Sequence, residues 1–462
     1  MEIIITSIVL ALYVVSLFVI LFNNIDLTSG LTKIGVGNRN YNQRALFFTI
    51  LVTMMGPGFS LGLGEKTYEF GYIYLIFYLF SLFQLYLFSI FFANKVKPLI
   101  ENMTDPKNTI SMGDIVEECL GGKISKIVLG HITLMFNIVI VGVVSLGGGK
   151  ILNHLYNIDL GLASFLIVIF VAIYSALGGI NVVIKTDKIQ AILIMLAGLI
   201  CLYLGIENIS SDNFDSKWLW NNENTINASE MFSIIIAMFL GEAFVSVYFI
   251  RTMLSENGEI AKKAFRNVSI FGIFLFIAFS TASISSHNID YDTSKISYFA
   301  LAMHSDFGNI FLPILALGLV SVVMSTLDSV LNNSAIVAIK DITYPILNIK
   351  KLEANIERKL YVIFVGIVSF LGVIIALIFN DIFQMLVIAY HIWAPTIVYP
   401  FAILLLTPKT KRYKWTFLYS IFGGLVGYFL ISKIIPLPAI LLGIIFNAFA
   451  FHLSELFFNK KS

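Results

Sequence analysis

Thirteen apolar stretches, most of about 20 residues and nearly free of charge, follow one another along the chain. A helix of about 20 residues crosses a hydrocarbon core of about 30 Å, and in hydrocarbon only a helix or a closed barrel satisfies its own backbone. The stretches are 3–22, 44–64, 68–93, 125–153, 159–178, 182–206, 231–252, 267–287, 308–340, 359–379, 381–406, 414–431 and 435–457. They predict an all-α polytopic membrane protein. Only 13% of the residues are charged, against about 25% in a soluble domain, too few to cover a soluble surface of this size. The two longest stretches, 125–153 and 308–340, must tilt, break or protrude. Only Met1 and Glu2 precede the first, with no basic segment and no small-residue cleavage site, so it is expected to be a retained helix.

Basic residues set the expected topology. If the N-terminus lies outside, the odd-numbered connections face the cytoplasm, and these hold 25 of the 30 lysines and arginines. Lys66, Lys150, Lys217, Lys295 and Lys433 remain outside. One missed span would invert every later loop, so the asymmetry supports thirteen spans, a cytoplasmic C-terminus and a cell (inner or plasma) membrane.

Several function classes drop out. The net charge of +2 is spread over loops and is explained by topology, which leaves no case for nucleic acid. Cys119 falls in a loop and Cys201 within a span, so no structural disulfide is expected. There is no CxxC, HExxH, Walker or G-x-S-x-G motif, and the polar segments 94–124, 207–230 and 341–357 are too short to be folded domains. Neither an enzyme nor a nucleotide-driven pump is expected, and no obligate protein partner is evident.

The second span reads FFTILVTMMGPGFSLGLGEKTYEFG, with Gly56-Pro57-Gly58 at mid-membrane. Proline removes a backbone donor and glycine weakens the helix, so the carbonyls of Val52 through Met55 lose helical partners. Bare carbonyls at that depth line a cavity and suit a hard cation such as Na⁺; the alternative is a simple proline kink. Five spans later Gly241-Glu242 interrupts MFSIIIAMFLGEAFVSVYFIRTM, and an intramembrane carboxylate is a site candidate. Spans 2–6 and 7–11 therefore read as two five-helix repeats of opposite orientation, each opening with a broken helix. In the ninth span, at and just before VVMSTLDSVLNNSA (322–335), Ser321, Ser325, Asp328, Ser329 and Asn332 recur at three- and four-residue spacing on one face, bordered by Thr326. Hydroxyls set against carbonyls make an all-oxygen site for an alkali cation. The alternative is hydrogen bonding between helices, though that needs one or two such groups and not the six of Ser325, Thr326, Asp328, Ser329, Asn332 and Asn333 within nine residues.

Residues 172–190, AIYSALGGINVVIKTDKIQ, resemble the sodium/solute symporter family, the group of the sodium/proline, sodium/galactose, sodium/pantothenate and choline transporters. The residues carrying the likeness are Tyr174, Gly178-Gly179, Val182-Val183, Thr186-Asp187 and Gln190, joined by MSTLDS in the ninth span, Tyr68 and Gly71 of YEFG, and Arg251. The resemblance implies a leucine-transporter-type inverted-repeat fold. An N-terminal helix and loop would occupy 1–43, the repeats 44–206 and 231–406 with an external loop 207–230 between them, and two C-terminal helices 407–462. It implies a principal sodium site of the Val52, Met55 and Val322 carbonyls with the Ser325 and Thr326 hydroxyls. A second sodium would use Asp187 with Ser325, Asp328 and Ser329, where Asp328 stands at a position often held by Ser. Alternatively Asp187 draws sodium along its exit route, or pairs with Lys185 or Lys188.

The substrate is expected beside the break, at Gly56, Gly58 and Phe59, facing Glu242, Phe244, Tyr248, Tyr390, His391 and Trp393. A carboxylate with aromatic faces suggests an amine, quaternary ammonium or zwitterion. The alternatives are that Glu242 pairs with His391 or takes up a proton, and His391 reads as a structural hydrogen-bonding residue. Sodium and a small solute would move together by alternating access across the bilayer. The rival readings are a proton-coupled transporter of the same fold and a transporter-like membrane sensor.

Overall fold

In the computed structural model, all residues are described except 27, 212–213, 221–226, 290–294, 408–414 and 459–462. The basic residues Lys409, Lys411, Arg412, Lys414, Lys460 and Lys461 lie outside the described residues. Among the described residues twelve helices are long and apolar enough to cross a membrane, and a bent pair makes a thirteenth span. The first span is Glu2–Phe22; the second is Gln43–Met54 and Pro57–Phe70, bent by 45°. Tyr72–Phe91, Gly122–Tyr156, Leu160–Gly178 and Ile180–Ile209 are spans 3 to 6. The seventh is Ala228–Gly241 followed by Ser246–Leu254. Gly258–Ser285, Gly308–Val337 and Ala354–Ile378 are spans 8 to 10. Span 11 runs from Ile382–Trp393 through a π-turn to Leu406, and Thr416–Phe429 and Ala439–Phe458 are the last two. Among the described residues the only bridge of strand type joins Tyr41 to Ser255.

The patterning is that of helices solvated by lipid. In span 1, Ile4, Ile8, Leu12, Val15 and Val19 form one exposed stripe, while Thr6, Tyr13, Leu17 and Leu21 are buried on the other. With lipid as apolar as leucine, contact between spans depends on close packing of small residues. A Cβ on Gly372 of span 10 would lie 2.1 Å from Val141 of span 4, and one on Gly147 of span 4 would lie 2.6 Å from Pro57. Span 9 is the hub, packed against spans 1, 4, 5, 6 and 10.

The two breaks lie five spans apart, as the sequence leads one to expect. Gly56 is extended, at φ −46 and ψ 166, and Pro57 takes the first helical position of the next half, where no donor is needed. That half runs on to Phe70, beyond the expected boundary at residue 64, because it stops only at Gly71. Gly71 has φ +73, and a Cβ there would meet the Leu219 carbonyl oxygen at 2.6 Å. In span 7 the four residues Glu242–Val245 are not helical. Phe244 sits at φ 58, a left-handed conformation costly for a bulky residue. Its ring is held edge-on by Phe92 at 4.9 Å and Phe88 at 5.7 Å.

Candidate sodium and substrate sites

Ser321, Ser325, Asp328, Ser329 and Asn332 are all buried on the inward face of span 9. Ser325 and the neighbouring Thr326 meet the break in span 2, whereas Ser321 donates to Tyr13 OH of span 1 and Asn332 to Ile34 O; Gly56 allows the close approach, since a Cβ there would stand 3.0 Å from Thr326 Oγ1. Ser325 Oγ lies 3.4 Å from the Val52 carbonyl oxygen and 3.2 Å from that of Val322; Thr326 Oγ1 lies 3.0 Å from Val322 O. Met55, at the end of the inner half-helix, is fully buried beside them. Pro57 lacks an N–H, and among the described residues no hydrogen bond runs from Gly56 N–H to Val52 O. Neutral carbonyl and hydroxyl oxygens from two helices thus converge, a donor set that fits an alkali cation.

A charged cluster lies one turn further along span 9. Arg251, at the end of the second half of span 7, donates to Ser329 Oγ at 2.6 Å and Thr53 Oγ1 at 3.4 Å. Its guanidinium stands 3.9 Å from Asp187 Oδ2, which also accepts from Thr49. Ser329 Oγ donates to Asp328 Oδ1 at 3.3 Å. The cluster therefore carries two carboxylates and one guanidinium. Asp187 Oδ1 and Asp328 Oδ2 are buried without a hydrogen-bond partner among the described residues, oxygens that a cation would satisfy. Asp187 does not pair with its sequence neighbours: Lys185 bonds Asn24 and Lys188 is exposed.

Beside the break lies a cavity of about 50 Å³, lined by Gly56, Gly58, Phe59, Thr326, Glu242, Tyr248 and Tyr390 among apolar residues of spans 4, 7 and 11. Tyr390 OH donates to Glu242 Oε1 at 2.7 Å, which leaves the carboxylate a second oxygen for a ligand. Among the described residues no lysine, arginine or histidine lines the cavity. Three of the expected residues are elsewhere. Phe244 is turned into the aromatic cluster of span 3 by its left-handed backbone. Trp393 donates through Nε1 to Ala243 O at 2.9 Å and so supports the break from behind. His391 points to the far side of span 11, 2.7 Å from Tyr428 OH, and makes no pair with Glu242.

The sequence reading missed Tyr78, whose hydroxyl donates to Gly58 O at 3.0 Å, and Phe136, which lines the cavity. A phenol in mid-span needs a partner, but nothing in the sequence says which. It also missed several long-range contacts on either side of the break. Lys66 bridges to Asp381 at 2.9 Å and Lys150 to Glu65 at 2.5 Å on one side. On the other, Tyr41 pairs with Leu254 and Glu256 through its backbone, and Arg39 donates to Pro106 O at 2.7 Å.

Gly241 gives a direct test of this packing. A Cβ on it would lie 2.1 Å from Tyr390 Cγ, a contact that only movement of the ring relieves. Overpacking of this kind costs about 1–3 kcal/mol. Gly241→Ala is expected to lower the melting temperature and weaken solute binding while leaving the sodium dependence intact; unchanged solute binding would contradict the placement of Tyr390.

A model of the sodium:solute symporter family matches residues 36–415. Among solved structures, a Na⁺-coupled sialic acid symporter in a substrate-bound outward-open state is similar over 98% of each chain, with a TM-score of 0.74 and 14% identity. The nucleobase-cation-symport-1 transporter MHP1, closed with bromovinylhydantoin bound, is similar over 91% of this chain and 92% of its own (TM-score 0.59, 12% identity). A manganese transporter of Eremococcus coleocola is similar over 89% and 95% (TM-score 0.51, 12% identity). At these identities the likenesses establish the fold, that of the inverted-repeat, leucine-transporter-type carriers. No curated protein matches the sequence.

Proposed function

The chain belongs to the sodium:solute symporter family and is a sodium-coupled transporter; on that premise we propose that it carries a small organic cation or zwitterion inward with Na⁺ bound between spans 2 and 9. The observation carrying the ion assignment is the meeting of the Ser325 and Thr326 hydroxyls with the Val52 and Val322 carbonyls. Met55 O completes the set. With five neutral oxygens, Na⁺ keeps its full charge for coupling to the membrane potential. One charge moved inward contributes about 2.3 kcal/mol per 100 mV. Because two helices share the ligands, sodium holds spans 2 and 9 together while the solute binds, and its departure frees the break to rock. The orphaned oxygens of Asp187 and Asp328, with Ser329, favour a second cation position or the path by which sodium leaves. The N-terminus is assigned to the outside and the C-terminus to the cytoplasm of the cell membrane by the basic-residue asymmetry.

For the solute, the supporting observation is one carboxylate, Glu242, in a cavity with no basic lining residue. An organic anion would bury its charge there without a cationic partner. An ammonium finds a carboxylate oxygen and the rings of Phe59, Tyr248 and Tyr390. The test is thermal stability of purified protein with amines, betaines, amino acids, sugars and organic anions, each in Na⁺ and in K⁺. Amine-bearing solutes are expected to stabilise only in Na⁺. Glu242→Gln is expected to weaken them about 10- to 100-fold, the loss of a charged hydrogen bond of about 1.5–3 kcal/mol. Stabilisation by sugars or anions that survives Glu242→Gln would defeat the cationic assignment.

A further inference from the structure

Span 11 has two working faces: Leu386 and Tyr390 line the solute cavity, whereas Val387, Ile388 and His391 line a separate groove of about 930 Å³ on its back. We propose that this groove binds one acyl chain of a phospholipid with an amine headgroup, phosphatidylethanolamine, from the leaflet on the Lys66 side. The inference stands independently of the sodium and solute assignments.

Three observations identify the occupant. The groove is open to lipid along one edge, where Met135, Leu425 and Phe429 are 56%, 41% and 58% exposed, while its floor at Tyr74, Ile234 and Phe383 is buried. Of its deeper polar residues, His391 pairs with Tyr428 and Thr396 donates to the Ile392 and Trp393 carbonyls, so these are satisfied internally and the interior suits hydrocarbon. Along span 11 its lining runs from Asp381 to Thr396, fifteen residues at about 1.5 Å each or about 22 Å, more than half of a hydrocarbon core of about 30 Å, so the groove extends from the rim well into the apolar interior.

The rim selects the headgroup. The charged lining is Lys66, Asp381 and Glu230, with Lys66 2.9 Å from Asp381, so two carboxylates stand against one ammonium. The excess of negative charge favours a primary ammonium that donates hydrogen bonds and disfavours an anionic headgroup. The lipid phosphate finds Lys66. Since Lys66 and Asp381 join span 2 to the start of span 11, a chain in the groove braces the helix that carries Tyr390 over the solute.

The experiment is native mass spectrometry of the detergent-purified protein supplied in turn with palmitoyl-oleoyl phosphatidylethanolamine, phosphatidylcholine and phosphatidylglycerol. One retained phosphatidylethanolamine per chain is expected, with loss of retention in Ile388→Trp, which fills the groove. Asp381→Asn keeps the helix cap to the Gln384 N–H and is expected to abolish the headgroup preference without abolishing retention. If Ile388→Trp does not fold, Leu425→Trp at the exposed edge makes the same test, and the headgroup ranking of the wild type needs no variant. Equal retention of phosphatidylglycerol, unaltered retention in the groove variants, or a stable dimer that excludes lipid would each overturn the proposal.

Discussion

Replacing Ser325 or Thr326 by alanine is expected to raise the sodium concentration for half-maximal stabilisation by about 10- to 100-fold. Each change deletes one ligand oxygen from a cation site, a charged hydrogen-bond equivalent of about 1.5–3 kcal/mol, and every 1.4 kcal/mol is tenfold in affinity. Both hydroxyls donate to Val322 O within their own helix, at 3.2 and 3.0 Å, and across the helices only Ser325 makes a further, longer contact, to Val52 O at 3.4 Å. Their removal therefore costs little folding energy beyond the site itself. Solute ranking at saturating sodium should be unchanged in Ser325→Ala, because Ser325 does not line the solute cavity and the cavity's carboxylate and aromatic rings come from other spans; Thr326 does line it, so that variant is read by its sodium affinity. A sodium titration of the melting temperature, repeated for each variant, reads this directly. Equal loss at saturating sodium, in protein that remains folded, would count against the assignment of these two hydroxyls.

Arg251 carries the second large effect. Its side chain is 1% exposed and links four elements through Thr53, Ser329 and Asp187. Removing one partner of a buried pair leaves the other charge uncompensated, at a cost of about 3–5 kcal/mol, whereas replacing both by apolar residues is often close to neutral. Arg251→Met is thus expected to lower the melting temperature steeply, since two carboxylates, Asp187 and Asp328, then share a site with no cation from the protein. Arg251→Met combined with Asp187→Leu should recover much of the loss. High sodium should also partly rescue the single variant if the cluster lies on the ion's path. A single variant as stable as wild type, or a double variant less stable than the single, would show that the cluster is not held by this pair.

Much of this architecture is legible in the sequence because its signals are local. Gly56-Pro57-Gly58 in an apolar run forces a break by removing a donor, and a polar stripe at helical spacing has to face protein. The span number is legible for the same reason: each apolar stretch is read by itself, and the described helices follow the expected thirteen. What the sequence hides is direction. Consecutive residues on a helix point about 100° apart, so Tyr390 and His391 cannot both face the solute; the structure turns Tyr390 to Glu242 and His391 to Tyr428. Phe244 leaves the cavity because of a left-handed backbone that no composition rule announces. Long-range pairing is hidden likewise. Lys185 and Lys188 are close to Asp187 in sequence, but neighbours one or two residues apart do not face each other on a helix, and the partner is Arg251 from the second half of span 7.

Equilibrium binding of radiolabelled sodium to the purified protein, competed with potassium and choline, tests the ion site most directly. Saturable binding that potassium does not displace, and that Thr326→Ala weakens at least tenfold, is the predicted result. Binding that potassium displaces equally, or that survives Thr326→Ala at full affinity, would contradict a sodium site between the break of span 2 and the hydroxyls of span 9.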